Sequence, residues 1–136
     1  MKLVDFTNSA REIVLPPDLL WEDEFSYTPV ATDKSWGVGG ALILQRGTRL
    51  QGRPITLKSP DQYSGWIYRT ELQGLYDWAA DATRRMVLHL ELDADVRTFT
   101  VAFDASSPVE AQPVKGWKQH DLVEPYTLKL KLIQVA

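Results

Sequence analysis

The stretch YTLKLKLIQV, residues 126–135, alternates apolar and polar side chains almost without interruption. Its apolar residues fall at every second position and are Tyr126, Leu128, Leu130 and Leu132. A threonine and two lysines occupy the positions between them. Because successive side chains of a β-strand point to opposite faces, this pattern predicts a strand with one buried and one solvated face.

Two further alternating segments lie upstream and predict a β-hairpin. Residues 88–92 carry leucine at every second position, and residues 98–103 carry Phe99, Val101 and Phe103 in the same way. The residues between them, Asp93–Arg97, are of suitable length for an antiparallel connection.

Three shorter segments are also predicted as strands. Residues 54–58 follow a Gly-Arg-Pro turn and have strand composition. The apolar run Ala41–Leu44 is predicted to be a strand buried on both faces. Residues 109–114 are predicted to be an irregular edge strand, followed by an exposed loop up to residue 125.

One segment departs from the β pattern and predicts a helix. From Leu72 onward, apolar residues recur at positions i, i+3, i+4 and i+7. Thr70 and Gln73 have the spacing of a capping box at the start of a helix. We therefore predict one helix over residues 70–83.

Together these elements predict a single domain over residues 1–136 that is mainly β with one α-helix. An antiparallel β-barrel or sandwich with the helix across an opening fits the element order better than an alternating α/β sheet. A chain of 136 residues can bury roughly two thirds of its unfolded surface without metals or crosslinks. No pattern assigns a role to residues 1–35.

The glycine cluster in WGVGGALILQRG, residues 36–47, first suggests a phosphate-binding loop. Such a loop requires a helix after its glycines, because the helix N-terminus supplies the amides that bind phosphate. Here the glycines precede a strand-like run, and their spacing fits neither a dinucleotide fingerprint nor a P-loop. We interpret Gly37, Gly39 and Gly40 as a bend into the strand at residues 41–44, with Trp36 at the rim.

Composition narrows the classes of function. Fifteen Lys and Arg against 18 Asp and Glu give a net charge of -3 without a long block of one sign, which disfavours nucleic-acid binding. The absence of cysteine excludes disulfides and thiolate sites and suits a reducing cytoplasm. No segment has the core of a signal peptide or approaches the ~20 apolar residues of a bilayer span, so we expect no membrane partner.

Candidate catalytic and metal-binding groups are few. His89 lies on the polar face of a predicted strand, and His120 lies beside Asp121 in a loop without a nucleophile motif. These two loop residues leave a small hydrolase as a remote alternative. The acidic run at residues 22–24 lacks the spacing of a calcium loop, and the two histidines lack zinc spacing. We therefore predict no catalytic residue, no metal site and no cofactor.

Aromatic residues are in surplus, and several lie in segments rich in Gly, Ser and Pro. The chain has five Trp and five Tyr. The aromatic residues that we single out as interface or ligand residues are Trp36, Tyr63, Trp66 and Trp117. Exposed aromatic side chains stack on sugars or anchor protein interfaces, whereas others cap the ends of a small barrel. As a set they favour a binding or assembly surface over an active site.

In pattern, residues 35–136 resemble small tail proteins of long-tailed bacteriophages and prophages. The segments that carry the resemblance are Gly52–Leu57, Trp66, the helix with Leu72 and Leu75, residues 88–103, residues 109–114 and residues 126–135. Within that group the chain looks most like distal tail proteins, whose N-terminal domain shares the tail-tube type of β-barrel with one flanking helix. None of the shared motifs is a catalytic signature.

The resemblance implies a structural role in the virion tail, after synthesis in the host bacterial cytoplasm. It implies a ring of copies, commonly six, that joins the tail tube to the baseplate or tip around a central channel, as a short version with the barrel domain alone. Partners would then be further copies, other tail proteins, and DNA only as it passes through the channel. The loose basic stretch Arg46, Arg49, Arg53 and Lys58 would face that DNA, an acidic neighbour or solvent.

A second hypothesis belongs to a different class of function. In it the chain is a carbohydrate-binding β-sandwich whose stacking platform consists of Tyr63, Trp66 and Trp117. A ring-forming protein assembles with itself, whereas a free sugar-binding module stays monomeric, so the oligomeric state separates the two.

Overall fold

The computed structural model describes residues 1–92, 95–104, 106–115 and 124–135. In this part of the chain there are eleven strands and one helix. In chain order they are β1 (Lys2–Asp5), β2 (Glu12–Val14), β3 (Leu20–Trp21), β4 (Val30–Trp36), β5 (Leu42–Thr48), β6 (Pro54–Lys58), β7 (Trp66–Tyr68), α1 (Arg69–Ala79), β8 (Met86–Leu92), β9 (Asp95–Phe103), β10 (Val109–Pro113) and β11 (Pro125–Gln134).

The described strands form two sheets, and all their pairings are antiparallel. Nine strands make the large sheet in the order β2-β1-β8-β9-β11-β6-β3, with β7 and β10 each added to β11. Strands β4 and β5 make a separate two-stranded sheet. The prediction of a mainly antiparallel β fold with one helix is confirmed. Between the outermost described strands, β2 and β3, there is no pairing, so the large sheet is not closed.

The predicted C-terminal strand is confirmed and is the centre of the large sheet. Near its start β11 lies between β7 and β10, and toward its end it lies between β6 and β9. Its alternate side chains are buried, from Tyr126 at 7% exposure to Leu130 at 0%. Strand β10 pairs regularly with β11 over five positions, and no described strand covers its other edge.

Residues 1–21, to which the sequence analysis assigned no role, complete the sheet and the core. Strand β1 pairs with β8, and β3 pairs with β6. Leu3, Leu15 and Trp21 from this segment belong to the same buried cluster as the central strands. The fully buried side chains are Leu3, Leu15, Ile55, Leu57, Leu75, Met86, Leu88, Leu90, Val101, Leu130 and Leu132.

The helix is shorter than predicted and begins without the predicted cap. It runs from Arg69 to Ala79, not over residues 70–83, and its N-cap is Tyr68, which makes no side-chain capping bond. The capping box of Thr70 and Gln73 is therefore wrong. Beyond the helix, the Asp81 carboxylate accepts hydrogen bonds from the Thr83 amide and hydroxyl at 3.0 and 2.9 Å. Such local bonds compete with helical ones and explain the early end.

The hairpin of β8 and β9 is confirmed, but its predicted connection is too long. Pairing continues to Leu92 opposite Asp95, so residues 95–97 belong to β9. Asp93 and Ala94 lie outside the described residues. Arg97 favours the longer strand because its Nε donates to Asp95 Oδ2 at 2.8 Å and its Nη1 lies 3.5 Å from Glu24 Oε1.

The segment Ala41–Leu44, predicted to be buried on both faces, is exposed instead. All seven residues of β5 are exposed, because their partner strand β4 is mostly polar and pairs with no strand of the large sheet in the described part. The predicted glycine bend is confirmed, since Gly40 has a φ of 82° and donates from its amide to Gly37 O at 2.9 Å. The bend turns the chain from β4 into β5.

Candidate assembly surface

The hairpin of β4 and β5 pairs with no described strand of the large sheet, and we call residues 30–48 the arm. Its strands pair through seven positions, from Val30 opposite Thr48 to Trp36 opposite Leu42. At ~3.3 Å per residue the paired part is about 20 Å long. In the described part β4 and β5 pair only with each other, so the outer edge of each strand is unpaired.

The arm has two different faces because residues opposite each other across paired strands share a face. One face carries Trp36, Leu42 and Leu44, at 67%, 54% and 48% exposure, flanked by the cations Lys34 and Arg46. We call it the apolar face of the arm. Large contiguous apolar patches on protein surfaces are typical of interaction sites, and an isolated two-stranded hairpin is marginally stable in water.

The opposite face of the arm is mostly polar. Asp33, Ser35 and Gln45 lie there, with Ile43 as its one large apolar side chain among the described residues. Ile43 is 47% exposed, nearly the same as Leu44. The two neighbouring residues therefore differ in face but hardly in exposure or size.

The root of the arm is fixed to the core through Arg53. Its guanidinium carbon lies 4.8 Å from the ring centre of Trp21 and 5.8 Å from those of Tyr27 and Phe99. Its Nη2 donates to Glu24 O at 3.0 Å. Stacking of a guanidinium on aromatic faces is favourable and orders the side chain. The arm therefore starts from a well-packed point.

The predicted interface aromatics lie on two separate elements. Trp36 is on the arm, whereas Tyr63 precedes β7 and Trp66 begins it. Tyr63 is 77% exposed and Trp66 is 43% exposed. In the described part, no ring contact or hydrogen bond joins Trp36 to either of them. Trp117 lies outside the described residues.

The loop that presents Tyr63 and Trp66 is held by a hydrogen-bond network around Ser59. The Ser59 hydroxyl donates to Gly65 O at 2.7 Å and accepts from the Leu128 amide at 2.9 Å. The Gly65 amide donates to Asp18 Oδ2 at 2.9 Å, and its φ of 70° is in the left-handed region. The loop is thereby tied to both β11 and residue 18.

Asp61 orders the tip of the same loop. Its Oδ1 accepts from the Tyr63 amide at 2.8 Å and from the Ser64 hydroxyl at 3.0 Å. The Tyr63 amide is the main cause that lowers the pKa of Asp61, with the Ser64 hydroxyl second. The carboxylate form is therefore the one that holds Tyr63 in its exposed position.

Sequence reasoning missed a second surface, a groove between α1 and β10. It has a volume of about 480 Å³. Its lining residues are Arg69, Leu72, Gln73, Tyr76, Asp77, Val109 and Ala111. A neighbouring hollow of about 390 Å³ shares Tyr76 and Val109, so the depression continues along the helix.

Tyr76 shows why the groove was missed. Helical spacing placed it with Leu72 and Leu75 on the buried face, but it is 70% exposed while Leu75 is fully buried. The phenol lies at the lip of the groove and lines both hollows. A tyrosine at the margin of an apolar helix stripe was the available signal, because its hydroxyl favours contact with water.

In the acidic run at residues 22–24, two side chains have structural roles. Asp23 accepts from the Thr56 amide at 2.9 Å and from its hydroxyl at 3.1 Å. Glu24 forms the ion pair with Arg97. Within the described ranges, no group of three or more His, Asp or Glu residues is placed to hold a metal ion.

The remaining candidates are dispersed. His89 lies on β8 opposite Thr98, whereas His120 and Asp121 lie outside the described residues. The basic stretch is divided, since Arg46 is on the arm, Arg53 packs on Trp21, and Lys58 lies on β6. The one helix in the described part is neither long nor apolar enough to span a bilayer.

Comparisons of this chain with protein-family models, with curated proteins and with solved structures find no match. The resemblance to phage tail proteins therefore stays a prediction. Of the surfaces described, the arm exposes apolar side chains, the groove is a depression between α1 and β10, and the loop with Tyr63 and Trp66 has exposed aromatic rings.

Proposed function

We propose that this protein is a structural, non-enzymatic component of a bacteriophage tail, which assembles with copies of itself into a ring. In the particle the ring would join the tail tube to the tail tip, in contact with other tail proteins, with DNA only passing through its channel. The observation that carries the proposal is the arm, a hairpin about 20 Å long that exposes Trp36, Leu42 and Leu44.

Self-assembly would cover apolar surface and strand edges that a single molecule leaves exposed. The apolar face of the arm is uncovered by the described part of its own chain, and the large sheet ends in open edges at β2 and β3. In a ring, each subunit covers its neighbour's exposed surface, and closed cyclic symmetry limits the number of copies.

The finer fold that we propose is a tail-tube type of β-barrel. Support comes from β11, which pairs with four strands, two on each side, and so joins two groups of strands around one core. The single helix beside the described strands matches the flanking helix that the family resemblance implies.

The test is the oligomeric state of purified protein, measured by sedimentation velocity and light scattering, with electron microscopy to reveal rings. We expect wild-type protein to form a closed oligomer at high concentration. Leu44→Ser should shift the distribution toward monomer, because it removes apolar surface from the face that we assign to the contact. Ile43→Ser removes a side chain of nearly equal exposure from the other face and should leave assembly unchanged.

Two outcomes would contradict this function. One is wild-type protein that stays monomeric at every concentration, with no ring on electron-microscopy grids. The other is an equal effect of Leu44→Ser and Ile43→Ser, because a face-specific contact must distinguish them. Circular dichroism of each variant shows whether a change in assembly reflects unfolding of the large sheet.

A second candidate function is carbohydrate binding, favoured by the aromatic side chains of β7. Trp66 and Tyr68 both point outward, with the buried Ile67 between them, so they share a face about 7 Å apart. Tyr63 lies in the adjoining loop. Glycan-array binding by a folded monomer, lost in Trp66→Ala, would support this function. Absence of binding, or binding unaffected by Trp66→Ala, would eliminate it.

A further inference from the structure

The chain carries a groove whose lining includes apolar side chains and an acid, which complement the apolar side chains and cations of the arm. We propose that the apolar face of the arm of one copy binds the α1–β10 groove of a second copy. The inference rests on the self-assembly proposed above and names the two surfaces that meet.

The first argument is apolar complementarity. The groove has Leu72, Val109 and Ala111 among its lining residues, with the exposed Tyr76 at its lip. Leu72 and Val109 are themselves packed against the core, so the lining is firm. A firm apolar depression with an aromatic lip can receive aliphatic and indole side chains, which are the groups that the arm exposes.

The second argument is charge. Lys34 lies directly opposite Leu44 on the apolar face, and Arg46 follows one step closer to the root. Asp77 lines the groove. In the described part of the chain, none of these three side chains has an ion-pair partner. Arg69 also lines the groove, but its Nη1 donates to the Tyr126 hydroxyl at 2.7 Å, which draws this cation toward β11.

The third argument identifies the occupant as another copy. The arm stays exposed along its whole second strand, so it does not fill the groove of its own molecule. Arm and groove are different surfaces, and a contact between them is therefore head-to-tail. Such contacts leave a free arm at one end and a free groove at the other until a ring closes or a filament grows.

Crosslinking tests the contact directly, because the natural chain has no cysteine. Leu44→Cys and Tyr76→Cys would be made in separate chains, one with an affinity tag, then mixed and treated with a short bismaleimide. A tagged–untagged heterodimer can arise only between molecules. We expect a several-fold higher yield from this pair than from the control pair Ile43→Cys with Tyr76→Cys, because cysteine, unlike serine, is apolar and keeps part of the contact.

A charge exchange provides a second measurement that avoids the apolar residues. Lys34→Glu places an acid against Asp77 and should raise the concentration for half-assembly by about tenfold. Asp77→Lys should do the same by opposing Lys34. The double variant restores opposite charges and should recover most of the wild-type assembly, which independent surface effects would not produce.

The outcomes separate this inference from the proposed function. Wild-type rings without the Leu44–Tyr76 crosslink, and with no recovery in the double variant, would overturn the groove assignment and leave assembly standing. Wild-type protein that never assembles would overturn both. Equal crosslinking of Leu44 and Ile43 variants would show random encounter and would also overturn the assignment.

Discussion

Replacing Gly65 by alanine should destabilise the protein more than any other glycine substitution described below. Gly65 has a φ of 70°, and a Cβ built on it would lie 2.8 Å from Ser59 Oγ and 2.9 Å from Ser59 Cα. Carbon atoms in contact prefer separations of roughly 3.5–4.0 Å. The substitution therefore meets both an unfavourable backbone conformation and a steric overlap.

The magnitude has two parts. An L-residue in the left-handed region costs about 1–2 kcal/mol. Relief of the overlap costs a further 1–3 kcal/mol, roughly the cost of overpacking a tight site. Ser59 cannot retreat freely, because its amide donates to Leu128 O at 2.8 Å and its hydroxyl accepts from the Leu128 amide at 2.9 Å. We expect a total loss of about 2–5 kcal/mol.

Gly52→Ala is the matched control. Gly52 also has a positive φ, 91°, but a Cβ there would meet nothing within 4 Å. Its amide donates to Gln134 O at 2.9 Å, so it too lies against the large sheet. Only the backbone cost of about 1–2 kcal/mol applies, and the difference between the two variants isolates the overlap with Ser59.

Urea unfolding followed by tryptophan fluorescence measures both variants. A domain of this size loses roughly 1–3 kcal/mol of stability per molar urea. A loss of about 3 kcal/mol in Gly65→Ala should then lower the unfolding midpoint by about 1–3 M, with a smaller decrease in Gly52→Ala. Equal midpoints for the two variants would refute the assigned overlap at Gly65.

Three further predictions concern the core, the pH response and the root of the arm. Leu130→Ala should cost about 2–5 kcal/mol of unfolding free energy in urea titrations, because this fully buried side chain leaves a cavity in β11. Stability should fall as pH drops below about 4. The Thr7 amide, with the Thr7 hydroxyl and Arg84, lowers the pKa of Asp5 from 3.8 by more than burial raises it. A carboxyl whose pKa is lowered in the folded state contributes stability that is lost when it is protonated. Arg53→Met should cost about 1–2 kcal/mol through loss of its stacking on Trp21, measured as a lower urea midpoint.

Each of these has a control in the same chain. Leu50→Ala removes a leucine that is 89% exposed and should leave the urea midpoint nearly unchanged. In Asp5→Asn the free energy of unfolding should decrease less on acidification, because the variant lacks one of the carboxylates whose pKa is lowered. Arg46→Met alters an exposed cation on the arm and should change stability by less than ~0.5 kcal/mol. If any control variant changed stability more than the variant with which it is paired, the role assigned to that residue would be contradicted.

Alternation predicted the central strands correctly because burial at every second residue is a local property of the chain. The spacing of Leu128 and Leu130 alone indicates which face of β11 is buried, whatever strands lie beside it. The prediction for Ala41–Leu44 rested instead on a continuous apolar run and was wrong about burial, since such a run does not say whether another strand covers it. Its partner, β4, is polar, and that pairing joins residues across the glycine turn without bringing either strand into the large sheet.

The groove could not be predicted from the sequence because its two walls are distant in the chain. Tyr76 and Val109 line it together but lie more than thirty positions apart. Their proximity follows from the pairing of β10 with β11 and from the packing of α1, neither of which is encoded in one segment. The exposed position of Trp36 was predicted, because glycines on one side of it indicated a turn.

The position of β11 has a consequence for biosynthesis. Strands β6, β7, β9 and β10 all precede β11 in the chain, and each of them pairs with it. While the ribosome is still adding residues before 125, these four strands therefore have edges without their final partner. Closure of such long-range pairings is slow, on the order of milliseconds to seconds. For a time, the nascent chain thus has unpaired strand edges. During that time chaperones or other newly made chains determine what fraction of it reaches the native state.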